Sequence, residues 1–130
     1  MRSSAPPWLV ALLGGVAVAL VPWTVLLNAH LPSQHLAAHW DTAWTGFDVA
    51  LACVIAGVVV SAVRGSPLLG RLAAAAGAML VCDAWFDTLT ASTRTEVIVA
   101  VVEAVAVELP LALLCFAIAH RPERFVRDVR

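Results

Sequence analysis

The chain has 130 residues, of which 62% are apolar and only 13% are charged. Soluble domains are typically about 45–50% apolar and about 25% charged, so 8 basic and 9 acidic side chains are too few to cover a soluble surface. The net charge of −1 provides no basic stripe for nucleic acid. This composition excludes an ordinary cytoplasmic enzyme, a disordered region and a nucleic-acid-binding protein. It predicts a helical integral membrane protein, surrounded by the lipid bilayer.

Four apolar stretches are long enough to cross a bilayer, which takes roughly 20 helical residues. The first contains Pro22 and is longer than the apolar region of a usual signal peptide, so we expect it to be retained as a span. The predicted spans are residues 8–28, 44–63, 67–88 and 96–119, and a basic tail follows at 120–130. No room remains for a separate soluble domain.

Two of the predicted spans carry signals for a helix start. Ser66 followed by Pro67 is typical of an N-cap and the first helical position, which predicts the start of the third span. Thr93 and Glu96 have the spacing of a capping box, which predicts the start of the fourth. Small residues such as those of Ala73–Ala78 would let neighbouring helices approach closely.

The arginines predict the orientation of the chain. Seven of the 8 basic residues fall on one side of the predicted spans, and only Arg94 falls on the other. Loops rich in arginine stay in the cytoplasm. We therefore expect an all-α, polytopic four-helix transmembrane bundle in the cell membrane, with both termini in the cytoplasm.

Four tryptophans collect near the predicted outer interface, and they are Trp23, Trp40, Trp44 and Trp85. This placement favours an aromatic belt at the level of the lipid headgroups. Stacking against a ligand is the alternative role, for which Trp44 and Trp85 are the candidates.

Carboxylates inside the apolar stretches are the feature that bears most on function. Asp48, Asp83 and Glu103 lie in three different spans, and Asp87 lies one helical turn after Asp83. A charge at the bilayer centre costs at least about 2.5–3.5 kcal/mol, and the one basic side chain within the predicted spans, Arg71, lies at the end of the third span opposite to Asp83 and Asp87. We expect these acids to meet in one outward-facing pocket as acid–base or ligand-binding residues. Structural hydrogen bonds between helices are the alternative.

Glu108 lies deepest, just before Pro110. On a regular helix it is rotated about 140° from Glu103, unless a bend at the proline realigns it. A protonated Glu108 could also bond to the carbonyl region near Ala106 that the proline leaves without a donor, and both roles stay open.

Two histidines of the loop before the second span suggest a metal site. His35 and His39 are four residues apart, which would place both imidazoles on one face of a short helix. Together with Asp83 and Asp87 they form a hypothetical two-histidine, two-carboxylate site for a divalent cation. Simple solvation of the loop histidines is the alternative.

Three segments carry a resemblance: WTGFD at 44–48, VCDAWFD at 81–87 and VELPLA at 107–112. They resemble the recurring segments of a family of small four-span membrane proteins from high-GC Gram-positive bacteria. The resemblance covers the second to fourth spans. It implies the four-span fold and no particular activity.

Three functional hypotheses follow from the acids. The first is a membrane-embedded site for a small or lipid-like ligand, in which a carboxyl kept protonated by its apolar surroundings could act as an acid on an isoprenoid or an epoxide. The second is binding or permeation of a cation or of protons, for example in a homo-oligomer. The third is an accessory or structural membrane subunit whose polar residues hold helices or a partner together. Whether the chain is an enzyme stays open.

Overall fold

Every regular element in the described part of the chain is a helix. The structure is a computed structural model that describes residues 7–30 and 37–125. The helices are α1 (Pro7–His30), α2 (Trp40–Arg64), α3 (Leu69–Thr90) and α4 (Arg94–His120), and a short 3₁₀ turn follows at Pro122–Arg124. The predicted all-α class is therefore confirmed. Helices α2, α3 and α4 are long and apolar enough to cross a membrane.

Helix α1 belongs to a separate unit of the chain, whereas α2 to α4 form a second compact unit. It is helical from Pro7 to His30, with Pro22 inside it, and so it includes the whole of the predicted first span. That α1 crosses the membrane stays a prediction. The four-helix bundle, of which α1 would be the fourth member, stays a prediction as well.

Helix α2 begins four residues earlier than predicted. His39 precedes it with a φ of 59°, in the left-handed region. This conformation interrupts any right-handed helix that would run from the preceding loop into α2. Gly65 closes the helix with a φ of 62°, and its N–H donates to the Ala62 carbonyl, as is common at helix C-termini.

The starts of α3 and α4 follow the predicted signals to different degrees. α3 begins at Leu69, two residues later than predicted, because Ser66 Oγ accepts the Leu68 N–H at 3.3 Å in a turn before the helix. α4 begins with the predicted capping box. Glu96 N–H donates to Thr93 Oγ1 at 3.2 Å, and Thr93 N–H donates back to Glu96 Oε2 at 3.1 Å.

Helix α3 lies between α2 and α4 and contacts both. Its small residues form the centre of the core, since Ala73 and Ala76 are fully buried. Small side chains let the helix axes approach, and in a membrane this close packing replaces the hydrophobic effect as the main attraction. The other core residues are Leu51, Val58, Leu69, Leu80, Ala112 and Cys115.

The faces of α2 and α4 that point away from α3 are aliphatic. Val59, Val102 and Leu113 are all more than half exposed, with Leu113 reaching 70%. A helix that is apolar on its exposed side as well as on its buried side is typical of a membrane span. The exposed apolar side chains and the lengths of the helices therefore both indicate that α2 and α4 are membrane spans.

Gly77 of α3 lies directly against α4. A Cβ atom built at Gly77 would lie 2.8 Å from Phe116 Cε1 of α4, whereas one built at Gly46 of α2 would meet nothing within 4 Å. The ring of Phe116 thus lies against the backbone of α3, and only glycine leaves room for it.

We expect Gly77→Ala to destabilise the protein by about 1–3 kcal/mol, because the added methyl group must displace the Phe116 ring or separate the helices. Gly46→Ala should be neutral or stabilising, since alanine is the better helix former and has free space there. Thermal unfolding of both variants in a neutral detergent measures the difference. Equal stability of the two would contradict this packing.

Candidate functional site

Helix α4 changes its winding in the middle, where residues Ala104–Glu108 form a π-helical segment. Leu109 N–H donates to the Ala104 carbonyl, five residues back rather than four. The wider turn changes the direction of Glu108 relative to its position on a regular α-helix. The sequence left the direction of Glu108 relative to Glu103 open, and in the structure Glu108 is buried whereas Glu103 is exposed.

Three carboxylates from α3 and α4 meet beside this segment. Asp83, Asp87 and Glu108 each offer an oxygen atom, and these atoms lie within 4.8 Å of one another. We call these three residues the carboxylate triad. Asp83 and Asp87 are partly buried, and Glu108 is buried with 9% of its surface exposed.

The Oε2 atom of Glu108 is buried and accepts no hydrogen bond. A buried polar atom without a partner costs about 1–3 kcal/mol, and more when it is charged. This oxygen also makes no hydrogen bond to a backbone carbonyl. The structure therefore does not support the bond between a protonated Glu108 and the carbonyl region near Ala106 that the sequence suggested. The triad therefore contains a buried carboxyl oxygen for which the described residues supply no hydrogen-bond partner.

Two further acids border the triad. Asp48 of α2 and Glu103 of α4 lie close enough to interact electrostatically with both Asp83 and Asp87. Unlike the triad members, both are exposed. The structure thus places Asp83 and Asp87 together with the buried Glu108, and Asp48 and Glu103 within electrostatic range of Asp83 and Asp87.

The triad lies toward the end of the α2–α4 unit that carries Trp40, Thr90 and Arg94, which we call the acidic end. The remaining described arginines are near the opposite ends of the helices, and they are Arg64, Arg71, Arg121 and Arg124. Basic charge is therefore separated from the carboxylates along the helix axes.

An open groove of about 570 Å³ lies at the acidic end beside the triad. It is lined by α2, by the connection between α3 and α4, and by the first turns of α4. Its lining residues are Trp40, Trp44, Asp87, Thr90, Ala91, Ser92, Thr95, Glu96, Val99, Ala100 and Glu103. Asp87 is the residue that belongs both to the triad and to the groove.

The wall of the groove on α2 is aromatic. The Trp40 and Trp44 rings are 5.6 Å apart with an interplanar angle of 67°, and Trp44 also meets Phe86 of α3 edge to face at 6.4 Å. Trp85 does not line the groove and is 64% exposed. Of the two tryptophans named as stacking candidates, the structure places only Trp44 beside the acids.

The metal site suggested by the histidines is not assembled in the described residues. His39 is exposed and is not a member of the triad, and its backbone φ of 59° lies in the left-handed region. His35 lies outside the described residues. The group that could hold a cation takes its third ligand from Glu108 instead.

Sequence reasoning named Glu108 but did not assign it to the site. The available signal was Pro110 two residues later, because a proline removes a backbone donor and favours a local change of winding. A π segment in that position is frequent at functional sites. The effect of the π segment on the direction of Glu108 could not be predicted from the sequence of α4 alone, because Glu108 meets Asp83 and Asp87 of α3.

Comparison with known proteins gives no match: no family model, no curated protein and no solved structure is similar to this chain. The resemblance to a four-span family therefore stays a prediction.

We expect Glu108→Met to stabilise the protein by about 1–3 kcal/mol in the absence of added cations. The unbranched apolar side chain fills a similar space, and it removes both the partnerless oxygen and the repulsion from Asp83 and Asp87. Thermal unfolding in neutral detergent with a chelator present measures the change, and Asp41→Asn at the exposed start of α2 serves as the control. A destabilised Glu108→Met protein would instead indicate that the acids hold the helices together.

Proposed function

We propose that this chain is a multi-pass membrane protein that binds a small metal cation between its spans, at the triad of Asp83, Asp87 and Glu108. The observation that carries this proposal is the buried Oε2 atom of Glu108, which has no hydrogen-bond partner. The carboxyl group of Glu108 also lies next to those of Asp83 and Asp87. A cation shared by the three groups would offset the cost of this arrangement.

The donor set favours a hard divalent cation. All three ligands are carboxylate oxygens, which suit calcium, magnesium or manganese better than zinc or copper. The triad oxygens lie within 4.8 Å of one another, which is close enough for all three to reach one such ion. Calcium accepts irregular sets of oxygen ligands and is therefore the first ion to test. Magnesium requires a tighter and more regular octahedron.

The surrounding acids suit a site that cations enter from one side. Asp48 and Glu103 are exposed and close to the triad, so they would attract cations toward Asp83 and Asp87. By the arginine distribution, this acidic end faces outward, both termini are cytoplasmic and α1 forms a fourth span in the cell membrane.

We expect the purified full-length protein to bind calcium in a neutral maltoside detergent, and Glu108→Gln and Asp83→Asn to weaken this binding at least about tenfold. Each variant replaces a charged ligand by an amide of the same size. Equilibrium dialysis with radioactive calcium measures the affinity, and proteoliposomes loaded with a calcium indicator test for permeation.

Asp41→Asn is the matched control for these variants, because it makes the same chemical change at an exposed carboxylate in the first turn of α2, away from the triad. We expect its calcium affinity to equal that of the parent. Absence of calcium binding in the parent, or equal binding by all variants, would reject the proposal and favour an accessory or structural subunit.

A further inference from the structure

We infer that the groove at the acidic end binds an organic cation, namely an ammonium group that carries apolar substituents. The groove is separate from the metal position at the triad and adjoins it through Asp87. This inference rests on the proposed function only through that shared residue.

The charge of the groove selects a cation. Asp87 and Glu103 line it, and no basic side chain is among its lining residues. Glu96 also lines it, but its Oε2 atom already accepts the N–H groups of Ser92 and Thr93 in the capping box. Glu108, whose Oε2 atom has no hydrogen-bond partner, lies behind Asp87 and does not line the groove.

The spacing of the acids favours a large cation over a metal ion. Within the described residues, Glu103 belongs to no group of three ligands whose oxygens lie within 4.8 Å of one another. A metal ion needs such a group, whereas the charge of a substituted ammonium spreads over its methyl or methylene groups and can face carboxylates that are further apart. The volume of about 570 Å³ is in the usual range for small-molecule sites.

The aromatic wall supplies the second element of ammonium recognition. Trp40 and Trp44 line the groove with their ring planes at 67° to each other, so together they present two differently directed aromatic surfaces. Tryptophan faces attract cations through the ring quadrupole, and such rings surround quaternary ammonium groups in known sites. Val99 extends the apolar lining along α4 and suits an aliphatic substituent.

The experiment compares choline with its neutral isostere 3,3-dimethylbutan-1-ol. Both are added to the full-length protein in neutral maltoside, and binding is followed by tryptophan fluorescence and by calorimetry. We expect saturable binding of choline and none of the isostere, because the two differ in charge but hardly in shape.

Trp44→Leu and Glu103→Gln should each weaken choline binding about tenfold, since each removes one attraction for the positive charge. Trp85→Leu is the matched control, because it removes an exposed tryptophan of the same acidic end that does not line the groove. Equal weakening by Trp85→Leu, or saturable binding of the neutral isostere comparable to that of choline, would overturn the inference.

The two proposals fail separately. Glu108→Gln should abolish calcium binding and leave choline binding within about twofold, because Glu108 does not line the groove. Trp44→Leu should have the opposite effect. Binding of calcium without binding of choline would support the proposed function and overturn this inference alone. Binding of choline without binding of calcium would support the groove as a ligand site and reject the metal site.

Discussion

The structure depends on one electrostatic constraint: several carboxylates lie inside helices that are otherwise apolar. In water such groups are solvated at little cost, but between membrane spans each one needs a partner or a cavity. Of the described arginines only Arg94 is at the same end as the acids, and the others are near the opposite ends of α2 to α4. Three of the acids lie together at this end, where the proposed cation would offset their charge.

The packing of α3 makes this gathering feasible. Ala73, Ala76 and Gly77 bring the backbone of α3 close to its neighbours, and Gly77 lets the Phe116 ring lie directly against it. The same close approach, continued toward the acidic end, places Asp83 and Asp87 opposite Glu108. The π segment of α4 completes the arrangement by changing the direction of Glu108 relative to a regular helix. Packing and charge placement are thus produced by the same helix pair.

Much of this arrangement could be predicted from sequence because it depends on local signals. Helix length follows from apolar stretches, the start of α4 from the spacing of Thr93 and Glu96, and the acidic end from the positions of the arginines. Asp48, Asp83 and Glu103 could be assigned to one end by counting residues along antiparallel helices. The position of Glu108 beside Asp83 and Asp87 could not be predicted in this way, because it depends on a π segment. The left-handed conformation of His39 could not be predicted either, since positive φ is uncommon for a residue other than glycine.

Asp87 gives the acidic end a property that neither binding position has alone. It offers an oxygen to the triad and also lines the groove, so a cation bound in either place lowers the negative potential that attracts a cation to the other. By thermodynamic linkage this effect is reciprocal: if calcium at the triad weakens the binding of an ammonium ligand, that ligand weakens calcium to the same degree. The two proposed ligands would then exchange rather than accumulate.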